Sequence, residues 1–239
     1  TTDNDTAGFT VVQSGGSTSV AETGSTDTFT VVLDAQPTSD VVISITSGDT
    51  GEATVSPGTL TFTSGNWNSA QTVTVTGVDD SLVDGSQTTA ATISVVDASS
   101  DNDFDGIANQ TVSITTTNDD TAGFTVAISG GSTSVAESGS TDTFTVVLNA
   151  QPTSDVVISI TSGDTGEATV SPGTLTFTSG NWNSTQTVTV TGVDDSLVDG
   201  SQTTAATISV VDASSDNDFD GVANQTTNIE TTDNDSVGF

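Results

Sequence analysis

Not one residue in this chain of 239 is Lys, Arg or His, while 32 are Asp or Glu, for a formal charge of −32. No salt bridge between side chains can form anywhere within it. Any fold that brings carboxylates together must leave them to water or recruit a cation from outside. The same absence removes whole classes of function. Neutralising phosphates takes Lys or Arg, so nucleic acid is excluded as a partner, and anionic lipid surfaces are excluded for the same reason. With neither His nor Cys there is no imidazole base, no thiolate, no ordinary zinc site and no disulfide. Paired carboxylates remain as acid and base, but no aromatic-lined cleft accompanies them, and the chain is read as a non-enzyme. No run approaches the ~20 apolar residues of a membrane-spanning helix, so no membrane insertion is expected in this window.

High charge with modest hydrophobicity can signal disorder. Here the apolar residues, 31% of the chain, alternate with polar ones in short clean runs. The alternation also recurs. Residues 121–235 copy residues 6–120 at a shift of 115, with 11 differences in 115 positions. "TAGFTV" stands at 6–11 and 121–126, and "VDDSLVDG" at 78–85 and 193–200. The opening "TTDND" matches the end of a repeat, and Gly238-Phe239 matches the start of one at Gly8-Phe9. The expected organisation is therefore a tail of a preceding repeat at 1–5, repeat 1 at 6–120, repeat 2 at 121–235 and the start of a following repeat at 236–239. A unit of this length exceeds a solenoid repeat and suits a self-contained β-sandwich.

Period-2 alternation between turn signals places seven strands in each unit. The first is "GFTVV" continued by "STSVAE" after the Gly15-Gly16 break. The others are centred on Phe29-Val31-Leu33, Val41-Ile43-Ile45, Leu60-Phe62, Val73-Val75, Ala91-Ile93-Val95 and Val112-Ile114. Thr and Ser dominate the opposite positions, as on a solvated pleat. The fold class expected is all-β: tandem immunoglobulin-like, seven-stranded antiparallel sandwiches arranged end to end.

Seven alternating strands impose a parity. Glu22, Glu52, Asp79, Asp80, Asp84, Asp119 and Asp120 come from four distant segments, and all fall at one pole of the first sandwich. Two carboxylates 4 Å apart repel by about 4 kcal/mol even at an effective dielectric of 20. A hard divalent cation removes that repulsion. Calcium takes 6–8 oxygens in irregular geometry, which loops can supply, whereas magnesium keeps its waters and uses few carboxylates. Calcium is thus the expected cofactor, and the second repeat offers Glu137, Glu167, Asp194, Asp195, Asp199, Asp233 and Asp235 at its equivalent pole.

Taken together, "VAETGS" (20–25), "SPGTLTFTSG" (56–65), "VTVTGVDDSLVDG" (73–85) and "TTNDD" (116–120) resemble the Calx-β domain. That family is known from the regulatory region of sodium–calcium exchangers and from long arrays in bacterial surface adhesins. The resemblance covers nearly all of both repeats. It implies calcium ligands at Glu22, Asp79, Asp80, Asp84, Asp119 and Asp120, with Glu52 where the family commonly has an acid. Two positions depart from the pattern. Gln87 stands where a further acid is frequent, and Asn118 opens what is often a run of three aspartates.

A second candidate calcium site is "DNDFDG" at 101–106 and 216–221. Asp101, Asp103, Asp105 and Gly106, with Asp216, Asp218 and Asp220 in the copy, match the start of an EF-hand loop, although Val112 replaces its closing Glu. Trp67 and Trp182, in "GNWN" turns, are read as lids on the end of each core. The functional expectation is a calcium-stabilised repeat forming a rigid stalk or fibre of a secreted bacterial surface adhesin or extracellular filament. Its partners would be neighbouring repeats of the same chain, with lateral self-association into filaments also open. A calcium-sensing regulatory module is the alternative reading. A glycan-binding module resting on the acids and Trp67 is a third.

Overall fold

The computed structural model describes residues 5–238; residues 1–4 of the expected leading tail and residue 239 of the expected following repeat lie outside them. Two compact units form. One comprises Thr1–Asp80 and Asp84–Asp119, the other Ser81–Val83 and Asp120–Phe239.

The first unit has nine strands: β1 (Phe9–Gln13), β2 (Thr18–Ala21), β3 (Thr26–Leu33), β4 (Val41–Ser47), β5 (Ala53–Ser56), β6 (Thr59–Phe62), β7 (Gln71–Gly77), β8 (Gln87–Val95) and β9 (Gln110–Thr117). They build two facing sheets, ordered β1-β3-β7-β5 and β2-β9-β8-β4-β6. The second unit repeats this with β10 (Phe124–Ile128), β11 (Thr133–Ala136), β12 (Thr141–Leu148), β13 (Val156–Ser162), β14 (Ala168–Ser171), β15 (Thr174–Phe177), β16 (Gln186–Gly192), β17 (Gln202–Val210) and β18 (Gln225–Thr232). Its sheets run β10-β12-β16-β14 and β11-β18-β17-β13-β15.

The chain is an all-β immunoglobulin-like sandwich fold, but with nine strands per unit rather than seven, because the first expected strand divides between sheets and β5 (Ala53–Ser56) forms where no strand was expected. The first breaks at Gly15 (φ 65°) and Gly16 (φ 85°), in the left-handed region open to glycine. Beyond that break the chain crosses, so β1 pairs antiparallel with β3 whereas β2 pairs parallel with β9. The expectation of purely antiparallel sheets fails at this pair and at its copy, β11 with β18. The additional strand β5 joins β7 in one sheet, and β6, the expected strand at Leu60 and Phe62, joins β4 in the other after Pro57.

Alternation sets what is inside. In β3, Phe29, Val31 and Leu33 are buried, and in β4 Val41, Ile43 and Ile45 are. Phe62, Val73, Val75, Ile93 and Ile114 complete that core. Each such side chain contributes roughly 1.5–3 kcal/mol on full burial. Phe104, between two exposed aspartates of the β8–β9 loop, is also buried. Trp67 packs partly buried against the same core, and its carbonyl accepts the Leu33 N–H at 3.1 Å.

Candidate metal centre

Strand register assembles the acidic pole. The parallel pairing runs Ala21 against Thr117, so Glu22 emerges beside Asn118 and Asp119. Its N–H donates to the Thr117 carbonyl at 3.1 Å, and its Oε2 accepts the Asp119 N–H at 3.3 Å. On the other sheet Ala53 pairs with Gly77, which sets Glu52 against Val78 and next to the aspartates that follow. The Glu52 carbonyl accepts the Val78 N–H at 2.9 Å and the Thr116 hydroxyl at 3.3 Å, tying the two sheets together under the site. Gly77 has a packing reason to be glycine. A Cβ there would overlap the Ala21 carbonyl, so the β7 and β2 backbones meet at this end.

Glu52, Asp80 and Asp84 place carboxylate oxygens within 4.8 Å of one another. In the second repeat, Glu167, Asp195 and Asp199 do the same, and Glu137, Asp233 and Asp235 form a further group. Glu22 and Glu137 are 0% and 1% exposed. Asp120 is half-buried, as is its counterpart Asp235.

The acidic run is extended, and its side chains alternate. Positions 118 and 120, like 233 and 235, are half-buried, whereas Asp119 and Asn234 are exposed and turn a backbone N–H toward the buried glutamate. Asp119, expected as a ligand through its side chain, therefore faces outward. The inward position is Asn118 in repeat 1 and Asp233 in repeat 2. Asp79 and Asp194 are also exposed and belong to none of the close groups among the described residues. The Asp194 carboxylate instead accepts the Asn234 amide at 3.0 Å. At Gln87, where the family often has an acid, the side-chain amide donates to the Asp84 carbonyl at 3.0 Å and braces the loop.

Electrostatics agree with the geometry. Burial raises the Glu22 pKa, an effect opposed by the Asp119 N–H and reinforced by Asp80, Asp84 and Glu52. Burial raises Glu52 as well, followed by Asp84, Asp80 and Asp49. In the second repeat the Asn234 N–H holds Glu137 down, but burial with Asp233, Asp195 and Asp199 outweighs it, and the net shift is upward. Glu167 is raised by burial and then by Asp199 and Glu137, and Asp235 by burial and then by four neighbouring aspartates. Asp233 moves the other way, because the N–H groups of Gly200, Asp235 and Asp199 all point at its carboxylate.

Four of these oxygens decide what the site can hold. Glu22 Oε1, Glu52 Oε2, Glu167 Oε2 and Asp235 Oδ2 are buried and accept no hydrogen bond. Buried polar atoms are nearly always partnered. All-oxygen, anionic donors on loops, with no cationic side chain in the whole sequence, fit a hard divalent cation of calcium type.

The "DNDFDG" loop is built differently. Asp101 is 4% exposed, and its Oδ2 accepts the Thr38 N–H at 2.7 Å, the Thr38 hydroxyl at 2.8 Å and the Ser39 N–H at 2.8 Å. Its Oδ1 accepts the Asp103 N–H at 3.1 Å. These bonds, first that from Asp103, hold its carboxyl far below the usual range. Asp216 repeats the arrangement with Thr153, Ser154 and Asp218. Asp103, Asp105, Asp218 and Asp220 point to solvent, and among the described residues none of these acids joins a close carboxylate group. The motif staples the β3–β4 loop to the β8–β9 loop, with Phe104 and Phe219 sealing the core beneath.

No protein-family model matches the sequence, and no curated protein does. Among solved structures, the chain is similar to calcium binding domain CBD12 of CALX1.1, with 14% identity and a TM-score of 0.35 over 84% of this chain and 80% of that one. It is also similar to domains 4 and 5 of the S-layer protein SbsC, with 17% identity and a TM-score of 0.37 over 95% and 99%. For SbsC domains 1–6 the values are 16% and 0.38 over 99% and 30%.

Proposed function

We propose that the acidic pole of each repeat binds calcium, and that the chain is a calcium-stabilised structural module of an extracellular surface protein or fibre. The observation that carries the reading is the set of buried, partnerless carboxylate oxygens at Glu22, Glu52, Glu167 and Asp235, in a chain with no cation of its own. Glu52, Asp80 and Asp84 would hold an ion in the first repeat; Glu167, Asp195 and Asp199, with Glu137, Asp233 and Asp235, would do so in the second. Calcium supplies charge neutralisation and cross-links four chain segments distant in sequence. Near-identity of the two repeats supports a spacer, whose useful property is length and stiffness. The lack of any trypsin-type cleavage site suits a protein exposed outside a cell.

The test is thermal unfolding with calcium and with chelator at moderate fixed salt, paired with titration calorimetry. Ligand at a hundredfold excess over Kd stabilises by about 2.7 kcal/mol per site, a large part of the ~5–15 kcal/mol of a typical domain. Chelator should therefore lower the midpoint markedly. Half-saturation near 10⁻⁴–10⁻³ M is expected for an extracellular structural module, against 10⁻⁷–10⁻⁵ M for a sensor. A midpoint unmoved by chelator would rule out calcium as the stabilising ligand.

A further inference from the structure

The two repeats differ at 11 of 115 positions, and four of those differences meet at one place in the second unit. Ile128, Thr227, Asn228 and Glu230 stand where the first repeat has Gln13, Val112, Ser113 and Thr115, and all four line a cavity of about 510 Å³. The other residues that line it, Thr133 and Thr203 among them, are the same in both repeats. Ile128 ends β10 and Glu230 lies on β18, far along the chain, so the fold rather than the sequence gathers these changes.

Two of the changes are unfavourable for the second unit by itself. In the first repeat the Thr18 hydroxyl donates to Gln13 Oε1 at 3.0 Å, and Val112 is apolar. In the second, Ile128 takes that acceptor away from Thr133, and Thr227 adds a further hydroxyl. Thr133 and Thr227 are each 3% exposed, and among the described residues neither hydroxyl has a hydrogen-bond partner. Buried hydroxyls without a partner are rare and destabilising. Two of them in the wall of one cavity point to a partner from outside the chain.

The wall defines the chemistry of that partner. Asn228 and Glu230 alternate with buried residues along β18 and so share its exposed face, and Thr203 stands opposite Glu230 on β17. Together they offer a hydroxyl, a carboxamide and one carboxylate, with Ile128, 38% exposed, as an apolar side. Hydroxyl and amide groups both give and accept hydrogen bonds. With Glu230 in the wall and no cationic side chain in the sequence, an anionic ligand is repelled. A lone ammonium would engage the carboxylate and leave most of the wall unused. The volume falls within the ~300–1,000 Å³ of small-molecule sites. We propose that this cavity binds a neutral saccharide, whose hydroxyls pair with Asn228, Glu230, Thr133 and Thr227 while its apolar ring face lies against Ile128. Neither Trp67 nor any acid of the close carboxylate groups lines it, so the inference does not rest on the calcium reading.

The first repeat supplies both the control and the variants. The full chain, in calcium, is titrated with glucose, galactose, mannose and N-acetylglucosamine into the millimolar range, and its amide resonances are followed by NMR. At least one sugar should shift Ile128, Asn228 and Glu230 saturably and leave Gln13, Ser113 and Thr115 unmoved. Asn228→Ser combined with Glu230→Thr restores the residues of the first repeat. That chain should bind about tenfold more weakly or worse, with its urea midpoint unchanged. Thr227→Val, also a return to the first repeat, should raise the urea midpoint in sugar-free buffer and weaken binding. Shifts of equal size in both repeats, none with any of the four sugars, or undiminished binding by the two variants would overturn the proposal. So would methylammonium moving the same amides at lower concentration than every sugar, which would make the cavity a cation site.

Discussion

The backbone N–H of Asn234 donates to the carboxylate of Glu137 at 3.2 Å across 97 residues of sequence. That bond holds one of the most buried acids of the second unit, whose carboxylate groups closely with those of Asp233 and Asp235. Glu137→Gln keeps the shape and the acceptor while removing a charge. In calcium the variant should bind the ion roughly 10–100-fold more weakly and melt lower than the parent. In chelator it should melt higher, because one source of repulsion is gone. Calorimetry and thermal unfolding check both signs, and a diffuse cloud of surface charge would not produce the reversal.

Side-chain alternation along the acidic run makes neighbouring aspartates unequal. Asp233→Asn should weaken calcium binding in repeat 2, whereas Asp119→Asn, which reproduces the Asn234 of the other repeat, should change affinity by less than about twofold. Asn118→Asp should strengthen binding in repeat 1. Asp34→Asn is a further neutral control, since Asn149 already occupies that place in the copy. Calcium titrations of the four variants decide the matter.

Without calcium, stability should peak in mild acid. The folded pKa values of Glu22, Glu52, Glu137 and Glu167 are raised above the ordinary 4.5, so the native state holds protons that the unfolded chain releases. Their contribution is full below 4.5 and is lost as pH rises through the raised values. Asp101, Asp216 and Asp233 are lowered from 3.8, so theirs is present above that pH and lost as pH falls further. Urea midpoints in chelator should therefore rise on acidification from neutral pH toward about 5 and fall again below about 3.8. Calcium affinity should drop over the range where stability rises, since protons and the ion compete for the same oxygens.

Gly192→Ala tests the backbone approach under the second site. The added methyl would overlap the Ala136 carbonyl and crowd Val135, with backbone on one side and little room to yield. A loss of at least about 1–3 kcal/mol is expected by urea unfolding, together with weaker calcium binding, because the loop that carries Asp194 and Asp195 follows this strand end and must shift with it.

Asp216→Ala separates the staple from the metal site. Removing a buried, charge-assisted acceptor of several hydrogen bonds should cost on the order of 2–3 kcal/mol. Calcium affinity of the folded variant should stay within about twofold of the parent. An EF-hand-like role for the loop would instead lower the number of ions bound.

The strands centred on Phe29, Ile43 and Ile93 could be read from sequence because a period of two is a local property: each residue's face follows from that of its neighbours. The duplication was legible too, as was the lack of any basic side chain to pair the carboxylates, since charge balance depends on composition alone. Other features depended on contacts made far along the chain. The division of the first strand at Gly15 and Gly16, which sets β2 parallel to β9 and so brings Glu22 beside Asn118 and Asp119, depends on which sheet has an open edge. Aspartates also look alike in sequence whatever they do in the fold. Asp101 accepts hydrogen bonds from Thr38, Ser39 and Asp103, Asp119 turns to water, and Glu22 keeps a buried oxygen without a donor. Sequence alone determined that this chain has no basic side chain to pair its carboxylates; only the packing of two sheets decided which of them are buried without a donor, because burial and hydrogen-bond donors are supplied by residues as many as 97 positions away.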